Sequence, residues 1–306
     1  MNYVTTLLAM LLLAGCAAPS PKPAPPGPAP AVHAVPHAAA LPKPAAVHRG
    51  PGPDDLLQAT VWSQLSVEHD LVYLQIYRDA RDRLLQALRD RNWDALPHDE
   101  RSGPVRKLKP AVILDVDETV LDNSPYEARL IRQGAHYNEA SFAAWAREEK
   151  ARALPGALAF TQFAARHGIK VFYITNRSKD LGQATLDNLR KLGFPVSKDA
   201  FLGLGTFVKG CELIGSQKTC RRELIGRHYR VLMQFGDQLG DFLTVLDNTP
   251  AGRRKAIEPY LGWIGERWFV LPNPMYGSWE PALFHNVWEQ PVRVRRKAKI
   301  DALHTH

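Results

Sequence analysis

The chain has 306 residues, 45% of them hydrophobic and 23% charged, with a formal net charge of +8. That length allows one large domain or two modest ones with a core that needs no covalent staples, and three cysteines are too few for a disulfide scaffold. The positive balance suits nucleic acid, anionic lipid or phosphorylated small molecules and selects none of them. No apolar run is long enough to span a bilayer.

The apolar run Leu7–Leu13, followed by Ala14 and Gly15, reads as a signal segment over residues 1–15. Residues 1–6 carry no Lys or Arg, unlike an ordinary signal n-region. Leu13-Ala14-Gly15-Cys16 resembles the bacterial lipobox, so Cys16 is expected to be lipidated and to become the mature N-terminus. Ala17 stands where inner-membrane retention would use aspartate, which implies a lipid-anchored protein of the outer membrane. Residues 16–53 hold 12 of the 24 prolines and read as an extended tether. Its scattered histidines, His33, His37 and His48, make no metal tract.

From Asp54 to Trp93 the pattern is helical, with Leu65, Val72, Ile76 and Leu84 near one face and Asp54 or Asp55 as N-cap. Pro97 and Ser102-Gly103-Pro104 separate it from the first strand. That strand, Ala111-Val-Ile-Leu114, suits burial on both faces and runs into Asp115-Val-Asp117-Glu-Thr119. Two carboxylates that close repel, and a metal or a shared proton is the usual reason to keep both. An insertion of about fifty residues follows, in which Asn138–Arg152 reads as a helix carrying Phe142 and Trp145. Then come helix Leu158–His167, strand Lys170–Thr175, helix 180–192, strand Val231–Phe235 and strand Arg267–Leu271. This alternation predicts an α/β fold with a parallel sheet and right-handed crossovers. Arg293, Arg295, Arg296, Lys297 and Lys299 have no interleaved aromatics, so 293–306 reads as a solvated basic tail and no nucleic-acid polymer is expected. Export would place Cys211 and Cys220 in an oxidising compartment; a disulfide and two free thiols both stay open, because spacing alone does not place their Cβ atoms.

Four polar groups now follow in order after strands or in the interval between them: Asp115-Val-Asp117-Glu-Thr119, Thr175-Asn176-Arg177, Lys218, and Gly236-Asp237 with Asp241. Their order and spacing resemble the haloacid dehalogenase superfamily of phosphohydrolases. Leu121-Asp-Asn-Ser-Pro-Tyr126, Ala153-Leu-Pro-Gly156, Phe172-Tyr-Ile-Thr-Asn-Arg177 and Leu271-Pro-Asn-Pro-Met-Tyr-Gly-Ser-Trp-Glu280 narrow the likeness to its bacterial class C acid phosphatases, over about residues 56–290. The resemblance implies a Rossmann-like domain over 54–292, with a helical cap built from about 54–100 and 122–155.

It also implies roles. Asp115 would be the nucleophile and Asp117 the acid and base. Mg²⁺ would be held by Asp115, Asp237 and the backbone carbonyl of Asp117, with Asp241 behind. Thr175 would bind phosphoryl oxygens, and Lys218 would offset their charge, with Arg222 or Lys209 as possible substitutes. Asn123, Asn176 and Arg177 are expected to face substrate. An aromatic pair on Phe142 and Tyr276 would sandwich a nucleotide base; the family commonly has Trp at the first position, and Trp145 is the alternative partner. The expected activity is acid phosphatase on nucleoside 5′-monophosphates and other small phosphomonoesters. A sugar-phosphate phosphatase, a phosphotransferase and a non-catalytic surface lipoprotein are the alternatives, and a homodimer is left open.

Overall fold

The computed structural model describes residues 54–305, Leu213 excepted. Cys16, the signal segment and the tether lie outside the described residues. The chain opens with two helices, α1 (Asp54–Leu65) and α2 (Val67–Arg89). One helix was expected across this stretch. Ser66 divides it: its backbone is extended and its hydroxyl accepts from His69 N–H at 3.0 Å, which starts α2 as a new helix.

The central strand β1 (Lys109–Leu114) follows, and then the two-residue strand β2 (Leu121–Asp122). Helix α3 (Ser124–Gln133) begins at Ser124-Pro125, with proline in its first turn, and α4 (Glu139–Glu148) is capped by Asn138. The predicted helix over 138–152 therefore overshoots. Glu149 turns left-handed, and β3 (Arg152–Ala153) pairs antiparallel with β2, fixed by an Arg152–Asp122 ion pair at 2.8 Å. Then come α5 (Ala157–Arg166), β4 (Lys170–Ser178), α6 (Gly182–Lys191), β5 (Phe201–Leu204) and α7 (Thr219–Gly226). The described chain ends with β6 (Tyr229–Gly236), α8 (Pro250–Ile257), β7 (Trp268–Val270) and α9 (Val292–Asp301). Residues 292–301 thus form a helix rather than a loose tail; Arg296 reaches Asp55 at 3.0 Å and Lys299 reaches Glu280 at 2.9 Å.

Five strands make one parallel sheet in the order β5-β4-β1-β6-β7. Alternate β1 residues serve two cores. Val112 and Leu114 join Tyr73, Tyr77, Phe160 and Phe235, while Ala111 and Ile113 join Phe172, Ile225 and Trp268. Both faces are covered, as a parallel sheet requires. In register, Leu114 lies between Tyr173 of β4 and Phe235 of β6. The three chains therefore leave the sheet side by side, where an open α/β sheet places its ligands. No helix among the described residues is long and apolar enough to cross a membrane.

One carboxyl in this frame is out of balance. Glu127 of α3 is buried, and burial, with the Glu280 carboxylate adding to it, raises its pKa from 4.5 to about 7. A carboxyl raised on folding binds its proton more tightly in the native state. Its contribution to stability is fully present below about 4.5 and is lost as pH climbs through about 7. Glu127→Gln should flatten that dependence and stabilise the chain at pH 8 by on the order of 2–3 kcal/mol, while changing little at pH 4. Urea unfolding of both chains at the two pH values checks this; parallel pH dependences would refute it.

Candidate active site

The loop after β1 is braced from beneath. Asp115 N–H donates to Phe235 O at 2.9 Å, tying the loop to β6. Val120 and Leu121 N–H both return to Val116 O at 2.9 Å, closing a tight turn. Glu118 sits in that turn with φ of 51°, a left-handed conformation that non-glycine residues rarely hold without support. The support comes from α2 and α3. Tyr73 Oη donates to Glu118 O and Tyr77 Oη to Thr119 O at 2.8 Å. The buried Glu118 carboxylate accepts Asn123 N–H at 2.7 Å. Burial first, then Asp117 and Asp237, raise the Glu118 pKa, against the pull of the Asn123 amide.

Asp115, Asp237 and Asp241 bring carboxylate oxygens within 4.8 Å of one another. Gly236 lets the β6 loop fold back so closely, since a Cβ there would lie 2.2 Å from Asp241 Oδ2. Lys218, just before α7, enters this cluster fully buried, bonding Asp115 and lying 2.6 Å from Asp241. Burial pushes the Asp115 pKa well up; Lys218 works against that rise, and Asp241, Asp237 and Asp117 add to it. Burial opposes the Lys218 charge, yet Asp115 and Asp241 outweigh it and hold the ammonium above the ordinary lysine range. Asp237 is raised to about 7 by burial and by Asp241, even though Gln238 and Asn273 amides donate to it at 2.7 and 2.8 Å. One ammonium against three carboxylates leaves a negative, oxygen-lined site.

Asp117 has different company. Arg177 Nη2 lies 2.8 Å from its Oδ1, Arg177 Nε donates to the same oxygen at 2.9 Å, and Asn123 Nδ2 donates to it at 2.7 Å. Thr175 Oγ1 donates to Oδ2 at 3.2 Å and accepts Arg177 N–H at 3.0 Å. Asn123 and Arg177 are both buried; they bond Asp117 and each other at 3.2 Å, with Arg177 also reaching Thr185, and Asn123 reaching Glu118 and accepting from Trp145. Period-2 alternation explains this: β4 runs on through Ser178, so Thr175 and Arg177 point inward while Asn176 faces out. Asn176 Oδ1 accepts from Arg221 Nη2 at 2.9 Å.

The aromatic residues divide likewise. Trp145 is 3% exposed, donates Nε1–H to Asn123 Oδ1 at 2.8 Å and carries the Arg129 guanidinium 4.7 Å from its ring. It is a buried strut of the cap and offers no face for stacking. Phe142 is half-buried beside Tyr126 and Tyr137, with the Arg177 guanidinium 5.6 Å from its ring. Tyr276 is half-buried, and its carbonyl accepts from Gln238 Nε2 at 3.2 Å, beside Asp237.

Lys209 and Arg222 do not substitute for Lys218. Lys209 is exposed, and Arg222 pairs with Glu100. Arg221 is buried too, donating to Thr175 O, Leu202 O and Gln217 O, and burial lowers its pKa to about 10. Sequence reasoning missed Arg221, Glu118, Tyr73, Tyr77 and Asn273. The i, i+4 tyrosine pair in a helical apolar stripe was the one readable signal among them.

A family profile described as HAD superfamily, subfamily IIIB (Acid phosphatase), matches residues 54–279, a span that holds every residue of this cluster. The chain belongs to this family. Among solved structures it is similar to the class C acid phosphatase from Bacillus anthracis, with a TM-score of 0.72 and 30% identity over 84% of this chain and 100% of that one. A tungstate-bound form of that enzyme matches equally well. Acid phosphatase 1 of Solanum lycopersicum is 30% identical over 166 residues, and a stem 31 kDa glycoprotein of Glycine max is 31% identical over 166. Those alignments cover 54% of this chain, and the chain spans 57% and 58% of the length of these two relatives.

Within the family domain, Cys211 and Cys220 are joined by a disulfide with Cα atoms 5.6 Å apart. Cys220 lies in the first turn of α7, two residues after Lys218, so the bridge closes the loop that delivers the lysine.

Proposed function

We propose that the protein is a Mg²⁺-dependent acid phosphatase that hydrolyses small phosphomonoesters, foremost nucleoside 5′-monophosphates, through an aspartyl-phosphate on Asp115. The observation that carries this reading is the Asp115–Lys218–Asp237–Asp241 cluster at the carboxyl edge of the sheet. Its donors are all carboxylate oxygens with excess negative charge, which fits a hard divalent cation. Asp115, Asp237 and the Asp117 carbonyl would hold that cation, with Asp241 behind them. Bound Mg²⁺ supplies neutralisation of charge on the phosphoryl oxygens.

The remaining work belongs to the chain. An Asp115 oxygen attacks phosphorus, and the ester oxygen leaves with the bonding pair and takes a proton from Asp117. A water then attacks phosphorus while Asp117 takes its proton, which releases inorganic phosphate and restores the Asp115 carboxylate. Oδ1 of Asp117 is occupied by Arg177 and Asn123, so the travelling proton belongs on Oδ2, where among the described residues only Thr175 bonds. Lys218 offsets charge on nucleophile and phosphoryl group together. An acid working range follows from a first step that needs Asp117 protonated. Asp115→Asn should lower turnover of p-nitrophenyl phosphate by more than about 10³-fold, and EDTA should abolish activity that added Mg²⁺ restores. Retained activity in either assay rejects the mechanism.

For the substrate, Phe142 and Tyr276 are the aromatic faces still available, each bonded or packed to a residue beside a key carboxylate. Phe142→Ala should raise KM for AMP about tenfold or more, by loss of a stacking partner, and leave KM for p-nitrophenyl phosphate and glucose 6-phosphate nearly unchanged. Equal effects on all three would favour a sugar-phosphate or general phosphatase. The same proposal places the enzyme at the outer membrane through lipid on Cys16, with residues 17–53 as its reach. Palmitate labelling that persists in Cys16→Ser would contradict that address.

A further inference from the structure

The loop carrying Asp237 and Asp241 is held from outside the acidic cluster by a buried guanidinium. Arg222 is fully buried on α7, one turn after Lys218. Its Nη1 donates to Gly240 O at 2.9 Å and to Asp241 O at 3.2 Å. The other side of the fork faces Glu100, with Nε donating to one carboxylate oxygen at 2.7 Å and Nη2 to the other. Glu100 is itself 4% exposed. The next residue, Arg101, bonds Gly226 O at the far end of α7 and pairs with Asp94 at 2.7 Å. Residues 94–101 therefore grip α7 at its middle and at its end, and that helix carries Arg222, with Lys218 at its N-cap, toward the 236–241 loop.

We propose that Arg222 is a positioning residue for the cation site. By holding the Gly240 and Asp241 carbonyls it fixes the turn that aims the Asp241 carboxylate at Lys218 and Asp237. Glu100 is the counter-charge that allows a guanidinium to sit in this dry place. The division of labour follows from geometry. A guanidinium spans two carbonyls on one side and a carboxylate on the other, which an ammonium, a point donor, does not do. A partner behind a ligand shapes affinity for the ion more than it shapes the chemistry at phosphorus.

This inference rests on the cation-site reading above, so the test separates the two. Mg²⁺ is titrated calorimetrically into the full chain and its variants, with thermal unfolding as the fold control and kcat measured at saturating Mg²⁺. Arg222→Met together with Glu100→Leu removes both buried charges at once and avoids an orphaned carboxylate. It should weaken Mg²⁺ binding by about tenfold or more, with kcat at saturation within about threefold of the parent. Arg222→Lys keeps the charge opposite Glu100 but gives up the carbonyl contacts, and should weaken binding similarly. Glu100→Gln keeps a hydrogen-bonding partner for the fork but removes its counter-charge, so it should lower the unfolding temperature and weaken Mg²⁺ binding less than Arg222→Lys does. Parent-like isotherms in Arg222→Lys and in a folded double variant would overturn the role of Arg222 alone. A parent chain that takes up no Mg²⁺ would instead overturn the cation-site reading, and this inference with it.

Discussion

Excess negative charge in a dry place is the constraint on which this structure turns. Asp115, Asp237 and Asp241 converge around one buried ammonium, and a single lysine does not balance three carboxylates. The surroundings are arranged to make that imbalance tolerable without cancelling it. Gln238 and Asn273 donate amides to Asp237, and Lys218 lies between the other two. A site held short of neutrality in this way keeps affinity for a cation, which a fully neutralised one would lack. The sheet register serves the same end, since β1, β4 and β6 deliver their last residues to one edge.

The two aspartates of the first loop are neighbours in sequence and strangers in environment. Asp115 shares its surroundings with Lys218 and the acidic cluster. Asp117 is turned into a separate set of donors, Arg177, Asn123 and Thr175, that reaches through Asn123 to Trp145 of the cap. The two carboxyls therefore sit in separate electrostatic neighbourhoods, one among other carboxylates around a lysine and one among donors. The cap helix is coupled through Trp145 and Asn123 to Asp117 and not to Asp115.

Much of this was legible in the residues. Apolar strands ending in Asp, Thr and Gly-Asp announce their edge of the sheet, and these three segments, with Lys218 in the interval between the last two, carry the family resemblance. What remained hidden had physical reasons. The strand through Thr175 runs on to Ser178, three residues beyond the predicted end, and this makes Arg177 a buried partner of Asp117. Trp145 and Phe142 share a helix stripe, and only the packing of Arg129 and Asn123 separates a strut from an available face. Arg222 and Lys218 both lie within reach of the loop by spacing. The choice between them rests on Glu100, more than a hundred residues away in the chain. Strand β5, four residues with a central glycine at the sheet edge, carries too little pattern to be seen.

The phenols of α2 have a consequence beyond bracing. Tyr73 and Tyr77 hold the carbonyls of Glu118 and Thr119, so the second helix of the domain forms the floor of the turn that carries Asp115 and Asp117. A shortened chain starting after α2 would keep every acidic residue of the site. It would still leave those two carbonyls without donors and the left-handed turn at Glu118 without its clamp. Helix α2 is thus part of the foundation of the site, and any minimal version of the domain has to begin ahead of it.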